Sequence, residues 1–209
     1  PPLPLAGKLM TLRQMIRDGI RPPVLIFVNG KQRAQSVFRE LIYDAVMSET
    51  GGVNLKVDLI NGDRTQAQRD RVVQQFRDGH VWLLVTTDLL ARGMDFFSEQ
   101  NESDPFFSTL KVINFDVPKD ATTYIHRVGR SGRNGQIGEA ITLYTLKDLP
   151  TLHKIINVIN HTDNSSKLEV PDWLVHSAQY LKNNKNYKYK MYSNQATNKK
   201  KGANKEKLN

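Results

Sequence analysis

No cysteine occurs among the 209 residues, which excludes disulfides and every zinc site built on thiolates. The five histidines are scattered and offer no metal-binding spacing. No apolar run approaches the ~18 residues of a membrane span. The opening PPLPLAGKLM has neither the charged nor the apolar region of a secretory signal, so a soluble intracellular protein without a membrane partner is expected. A phosphate cradle is also missing. A nucleotide hydrolase on a parallel sheet needs GxxxxGK[ST] and an acidic magnesium ligand. The Gly7-Lys8 pair has Pro2 where the first glycine should stand, and it follows no apolar strand. By itself the chain is expected neither to hold nor to hydrolyse a triphosphate.

What is abundant is positive charge, and its placement matters more than its total. Of the net +9, nine Lys and one Glu fall in residues 182–209, leaving residues 1–181 close to +1. That tail, KNNKNYKYKMYSNQATNKKKGANKEKLN, is nearly empty of core-forming residues. It has the composition of a disordered arm. Such an arm draws phosphates by counterion release without sequence preference, or serves as a solubilising or nuclear-targeting segment.

The rest of the chain alternates between two apolar patterns. LMTLRQMIRDG reads as a short amphipathic helix stopped by Gly19, whereas PPVLIFVN is a continuous apolar run of the kind buried on both sheet faces. A helix is expected from Lys31 to about Met47, with Ala34, Val37, Phe38, Leu41, Ile42 and Ala45 on one side. LKVDLI, VWLLVTT, LKVINFDV and GEAITLYT supply four more strands. Helices are expected over Thr65–Phe76, near Leu89, over Asp120–Arg127 and over Leu149–Ile159. This is an α/β domain with a mainly parallel sheet between helical layers. Its expected limits are 21–162, preceded by a linker and helix (1–20) and followed by a helical extension (163–181) and the basic tail (182–209). FFSEQNESDPFFST, residues 96–109, reads as a surface insertion whose ends Phe96, Phe97, Phe106 and Phe107 pin.

In open α/β sheets ligands meet the carboxyl ends of the strands. There the chain places Asn29 and Gly30, then Asn61, Gly62 and Asp63, then Thr86, Thr87 and Asp88, then Asp116. Small polar residues and glycines can present N–H groups and hydroxyls to phosphates. TTDLLARGMD adds Arg92 and Asp95, a guanidinium and a carboxylate suited to a ribose hydroxyl. YIHRVGRSGRNG sets Arg127, Arg130 and Arg133 three apart, among Gly129, Gly132 and Gly135 and just after His126. Arginine presents a planar fork of donors that stays charged. Three such forks without enough carboxylates nearby call for an anion.

VLIFVNGKQRA, NGDRTQAQRD, LLVTTDLLARGMD, VINFDVP and YIHRVGRSGRNGQIGEA, in this order, resemble the second, C-terminal RecA-like domain of DEAD-box ATP-dependent RNA helicases. The resemblance covers residues 8 to about 160. It implies an RNA-binding edge at Asn29, Gly30, Gly62, Asp63, Gln66, Arg69 and Thr87, although Asn29 and Gly30 depart from the more usual Thr or Ser. It implies an ATP-binding set of Asp95, Arg130 and Arg133, the two arginines reaching the γ-phosphate as the catalytic pair. Arg92 and His126 would couple the two sites, and Arg127 would serve as an interdomain or structural contact. ATP and Mg²⁺ would be held mainly by a preceding RecA-like domain of the same protein. PPVLIFVNGKQRAQSVFREL and LARGMDF look most like members acting in small ribosomal subunit biogenesis. That likeness implies pre-ribosomal partners and a nucleolar location.

Two other readings remain. Other superfamily 2 motors, such as the DEAH type, generally carry Gln where His126 stands. A non-catalytic RNA-binding or regulatory module would keep the fold and the tail without the motor.

Overall fold

The computed structural model describes residues 5–47, 56–88, 94, 96, 110–131 and 138–162. The chain divides into two compact units, Pro1–Val158 and Ile159–Asn209. Of the second unit only residues 159–162 are described, as the end of a helix.

The elements run α1 (Leu5–Arg17), β1 (Val24–Phe27), α2 (Lys31–Met47), β2 (Val57–Leu59), α3 (Gln66–Arg77), β3 (Leu83–Thr86), β4 (Lys111–Asn114), α4 (Ala121–Val128), β5 (Glu139–Thr142) and α5 (Leu149–Thr162). The strands pair in the order β2-β3-β1-β4-β5, all parallel. Each apolar run thus forms its strand. Backbone hydrogen bonds continue past the ladders at several ends, as from Val28 N to Thr86 O and from Phe115 N to Phe27 O.

Register explains the continuous apolar runs. Leu59, Val85, Ile26, Ile113 and Ile141 align across all five strands and face one core with Leu12 of α1 and Val37 and Leu41 of α2. One residue back, Leu84, Leu25 and Val112 face the other core with Val72, Val73 and Phe76 of α3. Both faces are covered, so period-two alternation is lost. Moving outward from β1 to β2 and back from β2 to β3 with right-handed crossovers places α2 and α3 on opposite faces.

Local signals set the helix ends. Gly19 takes φ +81°. Its N–H donates to Ile16 O at 3.1 Å and that of Ile20 to Met15 O at 3.0 Å, the paired bonds of a Schellman stop. Thr65 and Gln68 form a reciprocal capping box at α3, and Asp120 caps α4 through the N–H of Thr123 at 2.7 Å. Phe96 does pin its end of the insertion, fully buried and edge-on to Phe76 at 6.2 Å. Residues 97–109, the helix expected near Leu89, the extension and the tail lie outside the described residues. Among the described residues, no helix is long and apolar enough to cross a membrane.

Candidate functional site

Because all strands are parallel, their carboxyl ends share one edge of the sheet. Across it in space come Asn61–Asp63 after β2, Thr87–Asp88 after β3, Asn29–Gly30 after β1 and Asp116 after β4. The chain leaves β1 toward β2 and leaves β4 toward β5, in opposite directions. The topological switch point, where open sheets place their ligands, is therefore between β1 and β4.

Arg127 fills it. The last aligned row of the sheet is Thr86, Phe27, Asn114 and Thr142, and the buried Asn114 amide donates to Thr142 Oγ1 at 3.1 Å. Over this row the Arg127 guanidinium lies 5.1 Å from the Phe27 ring centroid, with the residue only 1% exposed. Nε donates to Asp88 Oδ1 at 2.5 Å and Nη2 to Asp88 Oδ2 at 2.7 Å. Nη2 also donates to Asn29 Oδ1 at 2.7 Å. Nη1 donates to Asn114 Oδ1 at 3.2 Å and to Asp116 O at 2.7 Å. All five donors of the fork are used within the domain. Of the two roles the resemblance left to Arg127, this arrangement fits the structural one. No donor of Arg127 is left over for a further hydrogen bond.

Asn29 is drawn into the same network. Its side-chain Nδ2 donates to Val117 O at 2.7 Å and its backbone N–H to Asp116 Oδ2 at 3.0 Å. With Oδ1 accepting from Arg127, the amide side chain is committed inside the domain. Asn29 and Gly30 are both exposed as residues. Gly30 holds φ +126°, a conformation L side chains rarely adopt, and its carbonyl accepts the N–H of Ala34 to open α2.

The structure brings Gly62, Gln66 and Arg69 together after β2. Arg69 Nη1 donates to Gln66 Oε1 at 3.4 Å and Nη2 to Gly62 O at 3.5 Å, two long contacts, while its buried Nε has no partner. The Asp63 carboxylate pairs with Lys31 and accepts from Gln35 Nε2 at 3.3 Å, joining this loop to the start of α2. Thr87 is half-buried at the end of β3.

α4 turns its arginines two ways. Arg127 points into the sheet, whereas His126 beside it is exposed. One turn on, past Gly129, Arg130 is half-buried and donates from Nη1 to the carbonyl of Met94, the residue before Asp95, at 3.3 Å. Among the described residues no carboxylate pairs with Arg130. Arg92, Asp95 and Arg133 lie outside the described residues.

A buried cluster went unread in the sequence. Lys8, 2% exposed on α1, places Nζ 3.0 Å from Asp148 Oδ2 and 3.9 Å from Asp116 Oδ1. Burial of Asp148 would raise its pKa. Hydrogen bonds from Lys8 and from the N–H and hydroxyl of Thr145, with the Lys8 charge, outweigh that and lower it. The available signal was a lysine on the buried stripe of α1, one turn before Leu12. Among the described residues no cluster of three His, Asp or Glu is placed to hold a metal.

Residues 7–99 match the family described as helicase conserved C-terminal domain. The chain is 43% identical over 88% of its length to the probable ATP-dependent RNA helicase ddx52 of Dictyostelium discoideum, and spans 24% of that relative. It is 39% identical over 86% of its length to the ATP-dependent RNA helicase ROK1 of Eremothecium gossypii, covering 28% of it. Its fold superposes on the C-terminal domain of the DEAD-box protein Dbp5 with TM-score 0.59 and 28% identity, covering 77% of this chain and 81% of that one. The chain spans about a quarter of the length of the curated relatives it matches. With its parallel sheet and ordered strand-end motifs, this chain belongs to the DEAD-box RNA helicases, as their C-terminal RecA-like domain.

Proposed function

We propose that the chain is the C-terminal half of an ATP-dependent RNA helicase. It binds RNA backbone along the β2, β3 and β1 ends and supplies Arg130 and Arg133 to ATP held by a preceding RecA-like domain. The observation that carries this reading is the division at α4: Arg127 is spent inside the domain, while the half-buried Arg130 has, among the described residues, the Met94 carbonyl for a partner. In this reading Asp95 meets the ribose, and Mg²⁺ belongs mainly to the preceding domain.

Each group then has a physical task. Gly62, Gln66, Arg69, Thr87 and the backbone of Asn29–Gly30 contact sugar and phosphate, which orients a strand without reading its bases. Arg130 and Arg133 stabilise charge on the transferring phosphoryl, and Arg92 and His126 link that event to the RNA edge. Closure of the two domains favours a bent single strand over a duplex, and reopening releases it. The sequence blocks around Lys31 and Arg92 favour a role in small-subunit ribosome biogenesis with pre-ribosomal partners. The protein would then be nuclear and concentrated in the nucleolus, where imaging of the tagged complete polypeptide would find it.

The test is RNA-stimulated ATP hydrolysis by the complete polypeptide. Arginine fingers contribute about 10³–10⁵ in rate in related phosphoryl transfers. Arg133→Ala and Arg130→Ala are each expected to abolish stimulated turnover while leaving thermal unfolding unchanged. Near-normal turnover in Arg133→Ala would sink the assignment.

A further inference from the structure

We infer that Asp116 is a positioning residue for RNA binding, holding the Asn29–Gly30 turn in the conformation that meets the strand. The inference rests on the reading above that this turn lies on the RNA edge. Four observations converge on its carboxylate. Asp116 is 8% exposed, at the end of β4 and beside the switch point. Its Oδ2 accepts the backbone N–H of Asn29 at 3.0 Å. Its Oδ1 accepts Arg33 Nη2 at 3.2 Å, and that guanidinium also lies 5.4 Å from the Phe115 ring centroid. The buried Lys8 ammonium stands 3.9 Å from Oδ1.

The geometry makes the backbone at Asn29 dependent on this one side chain. Asn29 is fixed at three atoms: its N–H by Asp116, its Nδ2 by Val117 O and its Oδ1 by Arg127. Two of those bonds hold the side chain, and among the described residues only the bond to Asp116 holds the main chain. The next residue carries φ +126°, so a small rotation at Asn29 redirects every N–H from Gly30 into the first turn of α2. Lys8 extends the same device to α1, because its ammonium is shared between Asp116 and Asp148 before α5. Entry helix, exit helix and RNA edge are thereby referred to one carboxylate.

This role makes a prediction of opposite sign to simple electrostatics. Asp116→Asn removes a negative charge from a face that attracts phosphate. If charge alone mattered, RNA would bind more tightly, and more so at low salt. As a positioning residue, its amide has one acceptor to share between Asn29 N–H and Arg33, and RNA binds more weakly. Asp116→Glu keeps the charge for Lys8 and Arg33 but displaces the oxygens from Asn29, and it too should weaken RNA binding.

The experiment is steady-state ATP hydrolysis by the complete polypeptide, titrated with single-stranded poly(U) RNA, with thermal unfolding of each variant recorded in parallel. The expected result is a half-saturating RNA concentration raised about fivefold, the factor one net hydrogen bond is worth. Turnover at saturating RNA and the KM for ATP should stay within twofold. Tighter RNA binding by Asp116→Asn, or unchanged half-saturation in Asp116→Glu, overturns the proposal. So does a parallel fall in turnover and melting temperature with half-saturation unchanged. If the unaltered protein shows no stimulation by RNA, the functional reading itself fails, a result distinct from either variant's behaviour.

Discussion

Replacing Arg127 with alanine should destabilise the chain more than any surface charge substitution, and the structure gives the size. The guanidinium is 1% exposed and makes five hydrogen bonds, two of them to a carboxylate, over an aromatic ring. Removing one partner of a buried charge pair costs about 3–5 kcal/mol, because the groups left behind are desolvated and unpaired. Asn114 Oδ1 and the Asp116 carbonyl are in that position, since both residues are buried. Asp88 is less so, its side chain being 23% exposed and open to rehydration. Domains of this kind hold about 5–15 kcal/mol in total, so the loss is a large share of the margin. For a chain of this size it corresponds to a melting temperature lowered by roughly 6–20 °C. Asp88 is also the one carboxylate paired with Arg127 among the described residues. Asp88→Ala strands a buried cation, so its cost should approach that of Arg127→Ala, and the double variant should cost far less than their sum. Urea unfolding of the 209-residue chain followed by circular dichroism measures all three. A loss below about 1 kcal/mol for Arg127→Ala, or strict additivity in the double variant, would refute the reasoning.

Two further substitutions probe the strand-end loop and the α1 clasp. Gly30→Ala finds nothing within 4 Å of the added Cβ, so any cost comes from φ +126° alone. About 1–3 kcal/mol of backbone strain is expected, together with weaker RNA binding by the complete polypeptide; a neutral effect on both would remove Gly30 from the argument. Asp148 is held below its ordinary value of 3.8. Its contribution is therefore fully present above that value and is lost as pH falls through the lowered one. Urea midpoints of the wild-type chain and Asp148→Asn should differ most near neutrality and converge in strong acid. A pH-independent difference would count against the Lys8 clasp.

The strands were legible because a parallel sheet covered on both faces leaves continuous apolar runs, and PPVLIFVN is such a run. The helix ends were legible where a local rule acts, as with Gly19 and Thr65. The five ordered blocks carried the family and the general place of the site at the strand ends. What they could not carry was orientation. His126, Arg127 and Arg130 belong to one motif, yet one is exposed, one buried and one half-buried. Their separation depends on how α4 lies over Phe27 and Asn114, which are 100 and 13 residues from Arg127 in the chain. Asn29 reads as a polar strand-end donor, but its amide is consumed by Val117 and Arg127 from beyond β4. Lys8 reads as an imperfect phosphate-loop lysine, although its place on the buried stripe of α1 marked it as a structural cation awaiting a carboxylate. Long-range pairing decided each of these, and no local pattern encodes it.

The filled switch point bears on why the site is built at an edge. In open sheets the crevice between strands whose connections diverge is where a nucleotide ordinarily rests. Here that crevice, between β1 and β4, holds a guanidinium whose five donors are all satisfied, and evicting it would expose Asn114 and the Asp116 carbonyl without partners. A ligand cannot use the crevice at a tolerable cost. Among the described residues, those proposed to bind lie around it: Arg130 beyond the end of α4, the Asn29–Gly30 turn, Thr87, and the loosely held Arg69. They lie along the rim, and an edge binds tightly only when a second surface closes over it. Arg127 therefore does more than stabilise the fold. By occupying the internal crevice it leaves the rim to any ligand, and under the proposed function the domain would share that ligand with a preceding one.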